Sequence, residues 1–391
     1  MHDKSITVQP VVSSMSALDK ISEAFPHLAV LCERIQDFHR RQLWHQLTDT
    51  LLELVNDPVF NSGTHLYELY NSMLKLIARK LSPLRVSQLT YSVSKQLDRS
   101  VAITFLTDFL DVIKMDSEAT ILVTLYITEG YIQIGDETNY KERVSDSEAK
   151  VATTPVGNEV MSQLYKCKLM ISRLVGDATL FYRNSLLYLA HTPLQAISPS
   201  EQNALAAELC MAALLGESVY QLGELLLHPI FKSLEGSNHA WLHSLVIAFS
   251  KGDLDAFNAI TATNAALMQS HPPLINGQVQ LREKIRVFAL MELARDRPAN
   301  ARTMPFDVIA QRASLSVAEV EFLVMKAVSL GLVKGSIDQV GQKVVVKWVQ
   351  PRVLEHESIS RLCSQLETWQ KQVESTAQLL QSEGGDMVAS H

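Results

Sequence analysis

Apolar residues recur at helical spacing through most of this chain, and short breaks separate the helical stretches. Residues 41–55 show the pattern and stop at a turn that contains Pro58, and residues 65–80 repeat it before Pro83. Nothing in this region has the strict alternation of a half-buried strand. The pattern predicts consecutive helices that are joined by short turns.

One signal repeats along the chain, a glycine followed by an aspartate and, five residues after the glycine, by an aromatic residue. It occurs at three places, which are Gly135-Asp136 with Tyr140, Gly176-Asp177 with Phe181, and Gly252-Asp253 with Phe257. The glycines are 41 and 76 residues apart, and a weaker copy, Gly216-Glu217 with Tyr220, falls near the middle of the longer interval. Glycine readily ends a helix in the left-handed conformation, aspartate caps the next helix, and the aromatic ring packs back on the preceding one. A period of about 39 residues predicts a helical-repeat (TPR-like) solenoid, while chance repetition of ordinary turn chemistry remains the alternative.

Two further segments bear on this region. Residues 135–156 are charged and have no apolar stripe beyond Tyr140, so we expect a loop there. Ser198-Pro199-Ser200-Glu201 has the form of a capping box with a proline at the first helical position, which predicts a helix start.

The pattern changes near residue 280, where three helical stretches are followed by two strand-like runs. The predicted helices are Leu281–Arg295, Pro305–Arg312 and a third that a capping box opens at Ser316 and Gly331 closes. Its expected buried stripe is Val317, Val320, Val324, Ala327 and Val328. The strands are Leu332–Ile337 and Lys343–Val349, joined by a turn. Three helices and a hairpin predict a winged helix.

A last helix is predicted from about Glu355 to Gln381. Its apolar positions are Ile359, Leu362, Leu366, Trp369, Val373 and Leu380. Their spacing forms a narrow heptad seam, which is more typical of an association surface than of a core. Folding of this helix back onto its own chain is the alternative.

These patterns divide the chain into five parts. The expected parts are a flexible N-terminus (1–17), a helical-repeat solenoid (18–280), a winged helix (281–352), a C-terminal assembly helix (353–381) and a flexible tail (382–391). The fold class is therefore mainly α.

Composition agrees with a large helical core. The chain has 391 residues, of which 47% are hydrophobic, with only 15 glycines and 13 prolines, and its net charge is -7. The four cysteines, Cys32, Cys167, Cys210 and Cys363, form no paired motif and are expected to be reduced thiols. No apolar run has the length of a secretory signal or a membrane span, so we expect a cytoplasmic and nuclear protein without a membrane contact.

The sequence carries none of the local motifs of catalysis or cofactor binding. It has no phosphate-binding glycine loop, no dinucleotide fingerprint, no paired zinc histidines and no nucleophile elbow. His228 and His271 each precede a proline and are expected to be surface or capping residues. We therefore expect no enzyme, no cofactor and no metal.

A nucleic-acid contact is the competing interpretation of the winged helix. In a DNA reader the third helix presents basic or amide side chains to base edges. Here that helix has only Lys326, together with Glu319 and Glu321. Residues 281–352 nevertheless contain twelve Lys and Arg against seven Asp and Glu, so a weak contact stays open.

The same segments carry a family resemblance. A helical-repeat arm that leads into a winged helix resembles the PCI domain of proteasome lid, COP9 signalosome and translation initiation factor three subunits. More narrowly, the chain resembles the lid subunits of the non-ATPase regulatory subunit nine type of the 26S proteasome over roughly residues 25–378. The resemblance rests on ALLG with GELLLHPI (residues 213–216 and 223–230), AVSLGLVKGSIDQV (327–340) and WVQPR (348–352).

This resemblance implies a non-catalytic scaffold that supports ubiquitin-dependent protein degradation. Such subunits pack their winged helices side by side and send their C-terminal helices into a shared bundle with other lid subunits. The wing's second strand, residues 343–349, is expected to offer an edge to a neighbour. The expected interface residues are Val344, Val346, Trp348, Ile359, Leu362, Leu366, Trp369, Val373 and Leu380. A scaffold of another PCI complex and a nucleic-acid-binding winged helix remain the alternatives.

Overall fold

The computed structural model describes residues 21, 25–55, 57, 65–113, 116–269, 271–297, 302–351 and 356–388. Contacts divide the chain into two compact units, Met1–Pro193 and Leu194–His391. The predicted flexible N-terminus, residues 1–17, lies outside the described residues. The predicted boundaries at residues 280 and 352 do not coincide with this division and stay predictions.

The first unit is helical throughout its described part. Its α-helices are α1 Ala29–Arg40, α2 Trp44–Val55, α3 His65–Leu69, α4 Lys75–Ile77, α5 Pro83–Ser94, α6 Arg99–Ile113, α7 Ser117–Ile134, α8 Glu137–Thr153, α9 Asn158–Val175 and α10 Ala178–His191. Short 3₁₀ turns at Pro26–Leu28 and Ala78–Lys80 and a π-helical turn at Tyr70–Leu74 complete this series. Sequential helices from α5 onward pack on one another, so their apolar faces form a continuous core.

The glycine–aspartate junctions have the predicted geometry. Gly135 and Gly176 end helices α7 and α9 with φ of 87° and 79°, in the left-handed region. Asp136 and Asp177 then cap α8 and α10 by accepting hydrogen bonds from backbone N–H groups. The junctions therefore fix where each helix ends and the next begins.

The expected loop at residues 135–156 is wrong, because the segment forms helix α8. Three residues at spacings of four and three, Tyr140, Val144 and Ser147, are buried. This narrow stripe is enough to dock the helix on α7. The charged residues cover its outer face, where Lys141 pairs with Glu137 one turn away.

The second unit contains helices α11 to α21 and one small sheet. Its elements are α11 Pro199–Leu215, α12 Gly223–Leu227, α13 Pro229–Lys232, α14 Ala240–Lys251, α15 Leu254–Thr263, α16 Ala265–Gln269, α17 Pro272–Asn276, α18 Gln278–Arg295, β1 Thr303–Pro305, α19 Phe306–Ala313, α20 Val317–Ser329, β2 Val333–Asp338, β3 Lys343–Val349 and α21 His356–Val388, after a 3₁₀ turn at Leu194–Ala196. The predominance of helices in both units confirms the mainly α class.

Helix starts in this unit follow the sequence signals closely. Both predicted capping boxes form, with Ser198 and Glu201 at the start of α11 and with Ser316 and Glu319 at the start of α20. The weaker repeat copy behaves differently. Gly216 ends α11 at φ −62°, and no helix begins directly after it.

Helices α18, α19 and α20 and the sheet form the predicted winged helix, with one strand that the sequence did not reveal. The sheet has the order β1-β3-β2, and both pairings are antiparallel. Strand β1 spans three residues and includes Pro305, which is too short for an alternating pattern to be recognised. Strand β3 is therefore the central strand.

The buried stripe of α20 differs in part from the prediction. Val320, Val324 and Ala327 are buried together with Leu323, whereas Val317 and Val328 are exposed. Helix α20 docks on α18 and α19 through this narrower face. Gly331 follows the helix at φ 72°, which agrees with the predicted stop.

The C-terminal helix is longer than expected. Helix α21 continues to Val388, so the predicted flexible tail is wrong for residues 382–388, and residues 389–391 lie outside the described residues. Gly384 and Gly385 lie in this part of the helix. Each glycine costs only about 1 kcal/mol inside a helix, and the helix continues across both.

Gly252 joins α14 to α15 and allows one substitution test of this architecture. Its φ is 59°, and a Cβ atom there would lie 2.5 Å from the backbone of Ala289 on α18. We expect Gly252→Ala to lower the free energy of unfolding by about 2–5 kcal/mol, from left-handed strain plus overpacking. Gly176→Ala is the matched control because its φ is 79° but a Cβ would meet nothing within 4 Å. Urea unfolding followed by circular dichroism should show a loss of only about 1–2 kcal/mol for the control. Equal losses would contradict the close approach.

Candidate functional site

Strand β3 carries three of the predicted interface residues, of which two are buried and one is exposed. Val344 and Val346 are 1% and 3% exposed. Alternate side chains of β3 point to the core, where the strand packs against α18. The prediction that these two valines contact a partner is wrong. Trp348 is 38% exposed, and its contact with a partner stays a prediction.

The predicted free edge of β3 is wrong for residues 343–345, which pair with β1. Strand β3 pairs with β2 on one side and with β1 on the other, where Val345 lies opposite Thr303. Both sides of β3 are thus paired at residues 343–345, the β1 register does not extend to residues 347–349, and β2 is the hairpin strand at the border of the described sheet. An edge contact with a neighbour would have to use β2 or residues 347–349 of β3.

Trp348 reaches the surface because the strand register shifts beside it. The irregularity falls between Lys334 and Gly335 of β2, and Trp348 lies opposite Lys334. The Lys334 ammonium lies 5.0 Å from the centroid of the indole ring. This cation–π contact covers part of the ring and leaves the remainder to solvent.

The outward face of α20 carries large apolar side chains that the sequence analysis missed. Phe322 is 69% exposed and Met325 is 46% exposed, one turn apart on the face opposite the core. In the turn between β2 and β3, Val340 is almost fully exposed. Large apolar groups that share an exposed helix face are typical of a protein contact surface. The signal was present in the sequence, because these residues remain apolar once the buried stripe of α20 is assigned.

The charged residues beside this face already have partners. Lys326 forms an ion pair with Glu283 of α18, and Gln339 donates a hydrogen bond to Glu321 at 3.3 Å. The only basic side chain of α20 is therefore engaged with a carboxylate. The face presents apolar groups where a DNA reader presents donors to base edges.

Helix α21 exposes its whole predicted seam. Ile359, Leu362, Leu366, Trp369, Val373 and Leu380 are between 44% and 69% exposed. Every described side chain between Ile359 and Ser382 is exposed. The structure thus gives no support to the alternative that this helix folds back onto its own chain.

The residues that flank the seam are neutral. In the heptad repeat the seam residues take positions a and d. The neighbouring e and g positions are occupied by Cys363, Gln365, Gln370, Gln372, Ala377 and Leu379. The charged residues Glu367, Lys371 and Glu374 fall on the opposite side of the helix. Charges beside a coiled-coil seam usually select the partner's direction and identity. In α21 the seam is instead flanked mainly by apolar and amide side chains.

The reactive residue types have structural explanations. Cys32, Cys167 and Cys210 are buried free thiols and Cys363 is an exposed one. Burial raises the pKa of Cys167 and of Cys210, so both remain protonated. The His228 ring accepts a hydrogen bond from the Ile230 N–H and caps α13, as predicted. The Cys167 and Cys210 thiols are therefore not activated nucleophiles.

Lys284 on α18 is the buried base that most resembles a catalytic group. Burial lowers its pKa to about 7. Its ammonium donates hydrogen bonds to the carbonyl oxygens of Ala213, Leu214 and Gly216 at 2.7, 3.0 and 2.7 Å. The three N–H donors of the ammonium thus satisfy carbonyl groups at the C-terminal end of α11, where the helix dipole favours a cation. Lys284 joins α18 to α11 as a structural residue.

Neither a metal-binding cluster nor a membrane-spanning helix is found among the described residues. No group of three or more His, Cys, Asp and Glu side chains in this part of the chain could hold a metal ion. No helix within it is long and apolar enough to cross a membrane.

Comparison with known families gives two matches. The family of PSD13 N-terminal repeats matches residues 31–246, and the PCI domain family matches residues 267–348. The first match covers the helical repeats and the second covers the winged helix up to β3. The two matches together span both compact units.

Similar curated proteins agree with these matches. The chain is 33% identical to 26S proteasome non-ATPase regulatory subunit 13 homolog B of Arabidopsis thaliana, over 97% of this chain and 100% of that protein. It is 30% identical to 26S proteasome regulatory subunit RPN9 of Saccharomyces cerevisiae, over 93% of this chain and 95% of that protein. A more distant relative is eukaryotic translation initiation factor 3 subunit M of Aspergillus fumigatus, at 23% identity over 80% of this chain and 69% of that protein.

The separation of core and surface residues in the winged helix can be tested by alanine substitution. Val344→Ala should lower the free energy of unfolding by about 1–3 kcal/mol, because it leaves a cavity in the core. Phe322→Ala removes a larger side chain but should change the stability by less than about 0.5 kcal/mol, because that ring is mostly exposed. Urea unfolding of both variants gives the comparison. A Phe322→Ala loss as large as that of Val344→Ala would mean that the ring is part of the core.

Proposed function

Because the chain belongs to the family of 26S proteasome non-ATPase regulatory subunit 13, which includes RPN9 of Saccharomyces cerevisiae, we propose that it is a non-catalytic structural subunit of the proteasome lid. Membership of this family confirms the resemblance found in the sequence. In this role the chain holds other lid subunits together and supports ubiquitin-dependent protein degradation.

The observation that carries this proposal is the exposed seam of α21. A helix of 33 residues is about 50 Å long at 1.5 Å per residue. Burying one large apolar side chain contributes about 1.5–3 kcal/mol, and the seam has six such side chains. Docking against the helices of other subunits would bury these side chains and account for their exposure in the isolated chain.

The winged helix supplies a second contact surface. The outward face of α20, with Phe322 and Met325, and the exposed part of Trp348 lie in the same compact unit as α21. We propose that PCI subunits of the lid pack against this face. Lys326, which pairs with Glu283, and Glu321, which accepts a hydrogen bond from Gln339, would then form the polar rim of the contact.

A non-catalytic role is supported by the state of the reactive groups. Burial raises the pKa of the Cys167 and Cys210 thiols, so both remain protonated, and Lys284 donates to three carbonyl oxygens. None of these groups combines an activated nucleophile with a base that touches it, as covalent catalysis requires. We therefore propose that turnover belongs to other subunits of the complex.

We also propose that the protein is found in the cytoplasm and the nucleus. The four cysteines are free thiols, which favours a reducing compartment. Fluorescence microscopy of the tagged chain, with a proteasome subunit as the marker, tests this location. Concentration in a secretory organelle would contradict it.

A scaffold of another PCI complex is the second candidate, and the similarity to initiation factor 3 subunit M favours it over a nucleic-acid binder. Mass spectrometry of the proteins that co-purify with the tagged chain from native lysate distinguishes the two complexes. Proteasome subunits are expected. Initiation factor or signalosome subunits in their place would overturn the proposal.

Deletion and substitution of α21 test the proposed docking. A chain that ends at residue 355 should keep its melting temperature but fail to join the lid, because α21 contributes to contacts between subunits and not to the core. Within the full chain, Leu366→Asp with Trp369→Asp should lower recovery in the purified lid at least tenfold. Each substitution places a carboxylate in a desolvated seam.

The matched control changes the opposite side of the helix by the same charge. Ser364→Asp with Thr368→Asp alters two exposed positions away from the seam and should leave incorporation within twofold of the wild type. Recovery is measured by quantitative pull-down on another lid subunit. If the truncated chain unfolds, α21 belongs to the core and the proposed docking role is wrong.

A further inference from the structure

The heptad positions along α21 determine which kind of helix the exposed seam fits. Between residues 359 and 376 the positions that face a partner helix are all exposed, and all but one of them are apolar. Position a is taken by Ile359, Leu366 and Val373, and position d by Leu362, Trp369 and Thr376. The stretch covers 18 residues and is about 27 Å long.

Thr376 is the one polar residue of this stretch, and its hydroxyl is already bonded within the helix. It donates a hydrogen bond to the carbonyl oxygen of Gln372 at 2.8 Å. A hydroxyl that bonds to its own backbone can enter an apolar layer without leaving an unpaired donor. The seam is therefore suitable for burial over its whole length.

Parallel pairing of α21 with a second copy of itself gives uneven layers. Each layer then contains the same residue from both helices, so the two Trp369 rings meet in one layer. Two Thr376 side chains meet in the next layer, where they fill much less space. Overfilled and underfilled layers in one seam both cost packing energy.

Antiparallel pairing gives layers of similar size, because position a of one helix then faces position d of the other. With the pair centred between Leu366 and Trp369, every layer combines a larger with a smaller side chain. The layers are Ile359 with Thr376, Leu362 with Val373, and Leu366 with Trp369, and each of them forms twice. Even filling of this kind is what a well-packed interface requires.

The residues that flank the seam do not oppose this pairing. In the antiparallel arrangement Cys363 lies beside Gln370 of the second copy on one flank, and Gln365 lies beside Gln372 on the other. All four are neutral at pH 7, so no like charges meet next to the seam.

The net charge of α21 is a small obstacle. The helix has two Lys and Arg against five Asp and Glu, and Glu367, Lys371 and Glu374 lie on the side away from the seam. In the pair these charges are on opposite outer faces, separated by more than the screening length of about 8 Å at physiological ionic strength. The pairing is driven by apolar burial, and added salt should not weaken it.

We propose that α21 of the free protein pairs in antiparallel orientation with α21 of a second copy of this chain. The proposal does not depend on the lid role, because it follows from the layers of one helix. Both contacts use the same seam, so a chain that joins other subunits has to leave the pair. Copies that are made in excess of their partners would have their seam covered.

The pair should be weak. Six layers of side chains that are each about half exposed offer on the order of 1,000 Å² of surface to bury, whereas stable complexes bury about 1,200–2,000 Å². Association should therefore be half complete at about 10–100 µM of chain, and a solution at about 1 µM should contain monomers with an open seam.

Sedimentation equilibrium of the full chain between 1 and 200 µM tests the association. The mean mass should rise from one chain toward two, and 0.5 M NaCl should not reduce it. The chain that ends at residue 355 should remain monomeric throughout. A full chain that is monomeric at 200 µM, or a truncated chain that also dimerises, would overturn the proposal.

Disulfide cross-linking tests the orientation. With Gln370→Cys, mild oxidation at 200 µM should join Cys363 of one copy to the new thiol of the other, and peptide mass spectrometry identifies the link. Gln372→Cys is the matched control, because it makes the same change on the opposite flank and should cross-link no more than the wild type. Cys363→Ser in the Gln370→Cys chain should abolish the cross-link.

Two cross-linking results would contradict antiparallel pairing. Gln372→Cys could cross-link as efficiently as Gln370→Cys, or the cross-link could persist when Cys363 is replaced by serine. Circular dichroism of each variant checks that it is folded. Neither result would change the recovery of the chain in the purified lid, so failure of this proposal is distinguishable from failure of the lid role.

Discussion

An apolar stripe has to be buried, and helix α21 cannot bury its own. Its large apolar residues lie along one side of a 33-residue helix whose described side chains are all exposed. Water disfavours this arrangement by about 25 cal/mol for each Å² of apolar surface. We propose that the helix buries this surface in an assembly, and the membership of the chain in a family of proteasome subunits agrees with this proposal.

Inside each unit, neighbouring elements bury one another's apolar faces. At Gly135, Gly176 and Gly252, a left-handed glycine lets one helix end and an aspartate caps the next. The aromatic residue of each junction, one turn later, is buried. Where a helix end has no such cap, another group satisfies it, as Lys284 does for the last carbonyl groups of α11.

Features that depend on a few adjacent residues could be predicted from the sequence. The capping boxes at Ser198 and Ser316 and the glycine–aspartate junctions are of this kind, because their hydrogen bonds lie within a single turn. Helix α8 was missed because its buried stripe has only three residues, and strand β1 was missed because it is three residues long. Both elements are stabilised by their neighbours and carry little signal of their own.

The interface could be predicted only in part, for a related reason. The seam of α21 is a property of one helix, and its residues are indeed exposed. Packing against α18 and pairing with β1 decide which face of β3 points to the core. The local pattern of Val344 and Val346 carries no information about either contact. Phe322 and Met325 became recognisable as surface residues only once the core side of α20 was known. Contacts between residues that are distant in the chain are the ones that could not be predicted from the sequence.

Hydrogen–deuterium exchange of α21 tests the central claim most directly. In the isolated chain, the amide groups of residues 359–382 should exchange close to their intrinsic rates, because a single exposed helix opens readily in water. In the purified lid, the same amides should be slowed by at least a hundredfold, because the seam is then buried. Protection that is already present in the isolated chain, or that is absent in the lid, would contradict the account.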